Sequence, residues 1–262
     1  MSGQLTLLGV GASAGTPVVG CECSTCQSTN KKNYRTRCSS LLTLKNGKNI
    51  LIDTSPDLRL QSLREGLTSI DAVLFTHHHA DHTGGNLDLK EKFDTKIYGP
   101  GSVKGRIPGL SHPLFGGETF RLGTHAVHVF STPGHTVDHV IYYVPDAKSA
   151  FVGDTLFALG CGRLFEGSKE DMYSSLKKIS NFPDDTKLYC AHEYTLSNAE
   201  FALTVEPAND DLKNYISKAK ELRALGLPTV PTTVASEKKC NPFLRAASAS
   251  QLGEIRAAKD VF

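Results

Sequence analysis

The run Thr76-His77-His78-His79-Ala80-Asp81-His82 packs imidazoles and a carboxylate into a few residues. Neutral imidazole and carboxylate are ligands for Zn²⁺, and for Fe or Mn with less selectivity. His77 and His79 are two apart, so in an extended segment they face the same way. Asp81 and His82 follow once the chain has begun to turn and can address a second centre. The apolar run Asp71-Ala72-Val73-Leu74-Phe75 before the cluster reads as a buried strand, and Thr83-Gly84-Gly85 after it is turn chemistry. The cluster is therefore expected on a loop at the carboxyl end of a strand, where open α/β sheets place their sites. A terminal expression tag would have neither that context nor the interleaved aspartate.

Other strand ends repeat the pattern. Ser131-Thr132-Pro133-Gly134-His135-Thr136 holds His135 in a fixed turn, and Gly153-Asp154-Thr155 exposes a carboxylate after the strand Ala150–Val152. His192 ends the strand Leu188–Ala191. Together with His77, His79, Asp81 and His82 these residues supply enough ligands for two metals that share one carboxylate. A closed structural zinc would need only four. Asp53, at the end of its own strand, reads either as a carboxylate that orients a ligand imidazole or as a turn residue before Pro56. His139 is a weaker candidate for an orienting role. His112, His125 and His128 read as exposed or structural side chains.

A second cluster, Cys21-Glu22-Cys23-Ser24-Thr25-Cys26, can hold a soft metal such as zinc if a fourth ligand arrives. Cys38 is the nearest remaining thiol and Cys240 another. No histidine follows His192. A reduced loop without metal is the alternative. The basic run Lys31, Lys32, Arg35 and Arg37 reads as a solvated loop face. The glycines of Gly9–Gly15 lack nucleotide-loop spacing and serve tight turns.

The elements that must position these groups are short. Gln4–Leu8 is a strand, and Ser39–Leu44 and Asn49–Asp53 form a hairpin around Asn46-Gly47 with a two-residue type of turn. Helices are expected from Leu58 to about Gly66 and around Leu87–Phe93, with strands at Lys96–Tyr98, Phe120–Leu122, Ala126–Phe130 and Val140–Val144. Residues 99–117 read as a Gly- and Pro-rich surface loop. After Glu193 the chain turns helical, and Leu212, Tyr215, Ile216, Ala219, Leu222 and Leu225 recur at helical spacing as one apolar face.

The chain has 262 residues, 39% hydrophobic and 21% charged, with a net charge of +2. That is an ordinary globular composition with nothing to favour nucleic acid or an anionic membrane. No apolar run reaches the roughly 18 residues of a membrane span, and no secretory signal is visible. Seven cysteines, three of them crowded together, favour a reducing compartment over a disulfide framework. A cytoplasmic, monomeric protein is the expectation.

Taken together the motifs resemble the metallo-β-lactamase superfamily. That implies an α/β fold, a four-layer αββα sandwich, here with a C-terminal helical region. From about Asp71 to Phe262 the chain resembles the glyoxalase II enzymes, the hydroxyacylglutathione hydrolases. The matching stretches are Thr76–Asn86, Thr132–Thr136, Phe151–Gly167 with its Gly160-Cys161-Gly162-Arg163 core, Ala191–Phe201 and Asn241-Pro242-Phe243-Leu244-Arg245. The resemblance implies that His77, His79 and His135 hold one metal, that Asp81, His82 and His192 hold the other, and that Asp154 bridges. It implies hydrolysis of S-D-lactoylglutathione to glutathione and D-lactate by a hydroxide shared between the ions, with Asp81 orienting it. Arg163, Tyr194 and Arg245 match glutathione-binding positions, whereas Phe165 stands where many members have Tyr and Ser248 where some have Lys. Two zinc ions, or Fe or Mn, are the cofactors this resemblance implies; the cysteine spacing, separately, makes Cys21, Cys23, Cys26 and Cys38 candidates for an extra structural zinc.

Residues 1 to about 75 resemble the phosphoribosyl cyclic phosphodiesterase branch of the superfamily. The resemblance lies in the cysteine loop, in Arg37-Cys38-Ser39-Ser40 and in Ile50-Leu51-Ile52-Asp53-Thr54. There, three such cysteines and a C-terminal histidine hold a structural zinc. The chain thus reads as a mosaic, natural or engineered. Two expected regions follow: 1–194, the metallo-β-lactamase-like domain with a Cys-rich loop at 9–38, and 195–262, a helical substrate-binding region. The competing activities are a phosphodiesterase or another esterase, and an inactive scaffold.

Overall fold

The structure, a computed structural model, describes residues 3–103 and 105–262. It divides into two compact units, Met1–Phe115 and Gly116–Phe262.

The first unit is built on a sheet of six strands among the described residues, in sequence order. Strands β1 (Gly3–Gly9), β2 (Ser39–Leu44) and β3 (Asn49–Ile52) pair antiparallel. Strands β4 (Ala72–Leu74), β5 (Lys96–Pro100) and β6 (His112–Leu114) continue parallel to β3. The β2–β3 turn differs from its expected form. The Leu44 amide donates to the Lys48 carbonyl at 2.9 Å, which closes three residues with Gly47 at φ +80°. That is the glycine-bulge version of a hairpin turn. Ala72, Val73 and Leu74 are all buried, as suits an interior parallel strand. Helices α1 (Leu58–Glu65), α2 (Ala80–Thr83) and α3 (Asn86–Phe93) fill the crossovers. The core gathers Leu8, Leu41, Leu51, Leu58, Ile70, Val73, Phe75, Leu89, Ile97 and Ile107.

Ile107 belongs to the stretch expected as a surface loop. That stretch instead carries Ile107 into the core and adds β6 at the sheet edge, where Tyr98 pairs with His112. Pro113 is tolerated there because an edge strand has a side with no ladder bonds to make. His112 stacks on Tyr98 with ring centroids 4.4 Å apart.

In the second unit β7 (Thr119–Leu122), β8 (His125–Ser131), β9 (Val140–Val144) and β10 (Ser149–Gly153) form an antiparallel meander. β13 (Lys187–Cys190) lies parallel to β10, and β14 (Thr232–Thr233) closes the edge. A small hairpin of β11 (Leu156–Phe157) and β12 (Gly160–Cys161) follows β10. Helix α4 (Lys169–Ser180) starts at a capping box, in which Ser168 Oγ accepts from the Asp171 amide and the Asp171 carboxylate accepts from the Ser168 amide.

The C-terminal helices are α5 (Thr195–Val205), α6 (Asp210–Ala224), α7 (Val234–Cys240), α8 (Pro242–Arg245) and α9 (Ala249–Asp260). On α6 the expected apolar face buries Leu212, Ile216 and Ala219, with Leu212 and Ile216 packed in a cluster with Leu159, Ala199, Ala202 and Cys240, but Leu225 lies beyond the helix and is exposed. No helix among the described residues is long and apolar enough to cross a membrane.

Candidate metal centre

In the first unit β4 delivers Thr76–His79 to the top of the sheet, and α2 then turns Asp81 and His82 back over it. The His82 and Thr83 amides both donate to the His79 carbonyl. His77 and His82 are fully buried, and their rings lie 4.2 Å apart, centroid to centroid. Asp53 organises this half. It sits just past β3 at φ +57°, a left-handed position that Asp and Asn tolerate better than other residues. Its Oδ1 accepts from the Thr76 amide at 2.9 Å, and its Oδ2 lies 2.9 Å from both Thr76 Oγ1 and His82 Nδ1.

Those bonds set the tautomers. His82 donates from Nδ1 to Asp53, which leaves Nε2 with the lone pair. The Thr76 hydroxyl donates to Asp53 and so accepts from His77 Nδ1, 3.0 Å away, which gives His77 the same tautomer. His77 Nε2 then stands 3.1 Å from His79 Nδ1. Two nitrogens on one tetrahedral zinc ion are about 3.3 Å apart, given Zn–N bonds of about 2.05 Å. The donor set therefore fits a metal. Asp53 orients two imidazoles, and the capping alternative is not what its side chain does.

In the second unit β8 ends at Thr132-Pro133-Gly134-His135. Gly134 has φ +145°, and a Cβ there would come within 3.0 Å of the Met172 backbone, so only glycine fits. His135 Nδ1 donates to the Arg163 carbonyl at 2.9 Å, leaving Nε2 with the lone pair. Asp154 follows β10 and His192 follows β13. Both His135 Nε2 and His192 Nε2 approach Asp154 Oδ2 at 3.5 Å. One carboxylate oxygen thus lies near both imidazoles. His139, ranked low from sequence, is fully buried. Its Nε2 accepts the Asp154 amide at 3.1 Å, so it holds the backbone of the shared carboxylate. Thr76 was missed as a relay. Its place directly before the histidine run was the only signal.

The proposed substrate residues have separate partners. Arg163 Nε lies 3.4 Å from Asp260, and Arg245 Nε donates to both oxygens of Glu206 at 2.9 and 3.0 Å. Tyr194 stacks on His192 with centroids 5.2 Å apart, and the exposed Phe165 ring meets His135 edge-on. Arg256, which sequence reasoning did not single out, is buried and donates to the Cys161 carbonyl.

The cysteine loop brings the Sγ atoms of Cys21, Cys23 and Cys26 within 4.8 Å of one another. The Cys26 backbone amide, then the neighbouring thiols, hold the Cys23 thiol down at about 7. Cys38 is placed elsewhere, in a buried group with Asp53 and His82. Cys240 lies in the core beside Leu159 and Leu212. Cys161 and Cys190 are buried, and burial pushes both thiols up, Cys161 to about 11, as expected of packing residues. Arg37 leaves the solvated basic face that was expected and grips Asp57 with Nε and Nη2 at 2.9 and 2.7 Å. That pair holds the Asp57 carboxyl below its ordinary range.

Comparison with known proteins places this geometry. The metallo-β-lactamase superfamily profile matches residues 34–192, and the profile of the hydroxyacylglutathione hydrolase C-terminus matches 193–262. A hydroxyacylglutathione hydrolase of Maricaulis maris is 46% identical over 231 residues, which cover 82% of this chain and 90% of that protein. Among solved structures, ETHE1 from Myxococcus xanthus is 26% identical over 85% of each chain with a TM-score of 0.63. A diphosphatase of the PhnP family is also 26% identical, covering 70% of this chain and 71% of its own, with a TM-score of 0.54. The superfamily match runs across residue 75, the junction of the expected mosaic, and these comparisons give a fusion no support.

Proposed function

Because the chain belongs to the metallo-β-lactamase superfamily, and within it to the hydroxyacylglutathione hydrolases, we propose that it hydrolyses the thioester of S-D-lactoylglutathione to glutathione and D-lactate. The observation that carries this reading is that the likeness takes in the C-terminal segment as well as the metal motifs. A divalent metal centre follows from the family and from the histidine and aspartate clusters.

We assign His77, His79 and His135 to one ion, Asp81, His82 and His192 to a second, and Asp154 to the bridge. The fixed Nε2 lone pairs of His77, His82 and His135 support the assignment, as does the shared approach of His135 and His192 to Asp154. Zinc is the proposed metal, with Fe or Mn compatible with the same ligands. A further structural zinc at Cys21, Cys23 and Cys26 is a separate proposal, with Cys38 set apart from it. Bound ions supply water acidified toward neutral pH and Lewis-acid polarisation of an acyl carbonyl.

The chain's own residues do the rest. Asp81, in the first turn of α2, orients the attacking water and takes up its proton. Asp53 and Thr76 keep the imidazoles from turning. Arg163 and Arg245 already hold carboxylates, so the two carboxylates of glutathione can exchange for Asp260 and Glu206 on guanidinium forks suited to them. Tyr194, on its histidine, offers a phenol to the peptide. The leaving thiol has an ordinary pKa of about 8.5 and departs without a dedicated acid. Residues 1–194 then form the catalytic domain and 195–262 the substrate wall. We place the protein in the cytoplasm, since seven thiols in no disulfide suit a reducing compartment.

A second reading, a phosphodiesterase, is favoured by the likeness to the PhnP-family diphosphatase, because such a centre can equally attack phosphorus. The test is a paired assay with S-D-lactoylglutathione and bis(p-nitrophenyl) phosphate on wild type and Asp81→Ala. Thioester turnover abolished by Asp81→Ala supports the proposal. Phosphodiester turnover alone overturns it, and loss of both in metal-loaded wild type leaves an inactive scaffold.

A further inference from the structure

The β11–β12 hairpin joins two parts of the second unit's metal ligands. It begins two residues after Asp154, and just beyond it the Arg163 carbonyl fixes the His135 ring. Its loop is Ala158-Leu159, and Leu159 adopts φ +60° although it is not glycine. Such a conformation persists only where the surroundings enforce it.

Three buried side chains from the C-terminal helices do so. Glu237 Oε2 accepts the Leu159 amide at 2.9 Å. The Asn241 amide donates to the Phe157 and Gly160 carbonyls at 3.3 and 3.0 Å, and Asn198 donates to the Ala158 carbonyl at 2.9 Å. Asn241 also donates to Glu237 Oε2, and Thr232 Oγ1 donates to Oε1. A Cβ at position 160 would stand 2.6 Å from the Asn198 amide. The Leu159 side chain is locked among Ala199, Ala202, Leu212 and Ile216.

Glu237 is fully buried and has no ion-pair partner among the described residues. The titratable groups facing it are Tyr215 on α6, Cys190 on β13 and Cys240 on its own helix, none of them cationic. Its remaining neighbours, Thr232 and Asn241, are neutral.

We propose that Glu237 is a positioning residue for this centre, locking the hairpin between Asp154 and Arg163, and that the lock loosens as pH rises through the mildly acidic range and levels off above neutrality. The lock rests on the geometry alone, and only its bearing on catalysis depends on the thioesterase reading. Burial pushes the Glu237 carboxyl up to about 7, against an ordinary 4.5 once the hairpin opens and water reaches it. The closed state therefore binds the proton more tightly than the open state, so raising the pH favours opening. From these two values the opening equilibrium rises about tenfold between pH 6 and pH 8.

The test is hydrogen exchange of residues 155–163 in the metal-loaded full chain at pH 6 and pH 8, corrected for intrinsic rates. Wild type is expected to open about tenfold more at pH 8, and Glu237→Gln to show no such rise. The glutamine mimics the protonated form, with its oxygen accepting the Leu159 amide and its nitrogen donating to Thr232 Oγ1. The rate of metal release to excess chelator, taken as the ratio of wild type to Glu237→Gln so that chelator effects cancel, should rise by a similar factor. A flat wild-type profile overturns the proposal even if the variant fails to fold, and so does an equal slope or a constant release ratio in the two proteins. Absence of thioester turnover alongside the expected exchange slope would count against the activity and not against the lock.

Discussion

Replacing Asp53 by Asn isolates the role of one buried carboxylate. Asparagine keeps the shape and tolerates the left-handed backbone at φ +57°, so the change is confined to the side-chain donors and acceptors. Asp53 accepts three hydrogen bonds, one at Oδ1 and two at Oδ2. Asparagine has only one acceptor oxygen, and either orientation creates a conflict. With the oxygen toward His82, the amide nitrogen faces the Thr76 N–H. With the nitrogen toward His82, the imidazole must abandon the tautomer that leaves Nε2 free to bind metal. One buried donor facing another costs ~1–3 kcal/mol. Charged on the metal-competent arrangement, that corresponds to a loss of about 10- to 100-fold in metal affinity. The assay is competition for Zn²⁺ against a chromophoric chelator, with urea unfolding of the metal-free protein run in parallel to separate lost affinity from lost fold. Affinity within about twofold of wild type would refute the claim that Asp53 sets the tautomers.

Four further outcomes are expected. Elemental analysis of metal-replete protein should give about two ions at the histidine and aspartate ligands, and one or fewer would end the dinuclear assignment. Cys23→Ser should release one metal and leave the histidine centre loaded, whereas unchanged metal content would make the cysteine loop a plain thiol loop. Gly134→Ala combines a φ of +145° with a Cβ within 3.0 Å of the Met172 backbone, and thermal unfolding should show a loss of ~2–4 kcal/mol. Arg245→Ala should raise KM for S-D-lactoylglutathione with kcat nearly unchanged, because it removes binding common to ground and transition states. An equal fall in kcat and kcat/KM would place Arg245 at the reacting group instead.

The parts of the fold that could be read from sequence are those where one period dominates. The apolar run before Thr76 and the Gly-Asp end of β10 announce strand ends in a few residues, because an interior strand must be apolar and the chain must then turn. The stretch 99–117 could not be read in that way. Gly and Pro mark turns, but they say nothing about Ile107, which plugs the core between them, or about an edge strand of three residues. Arg37 was misread for a related reason, since its partner Asp57 lies 20 residues on and no local pattern joins them. The ligand types at the site were visible as residue identities. The choice of tautomer was not, because it depends on Thr76 and Asp53 meeting across two strands.

The motif Asn241-Pro242-Phe243-Leu244-Arg245 shows where residue matching stops being informative. Its two polar members act in different ways. Asn241 is fully buried, and its amide serves the Phe157 and Gly160 carbonyls and Glu237 at once. It is part of the scaffold under Asp154 and Arg163. Arg245, four residues on, has its guanidinium near the surface and shares its Nε–H between the two Glu206 oxygens, an interaction that solvent screens and a ligand carboxylate can replace. Pro242 at the first turn of α8 and the buried Phe243 and Leu244 fix the spacing between the two. A substitution at Asn241 should therefore disturb the hairpin with or without substrate, and one at Arg245 should be felt only when substrate is bound. Hydrogen exchange of residues 155–163 separates the two cases. Asn241→Ala should speed it in the absence of any ligand, and Arg245→Ala should leave it unchanged. A speed-up of the same size in Arg245→Ala would mean that the motif acts as one structural unit and that its arginine is no substrate handle.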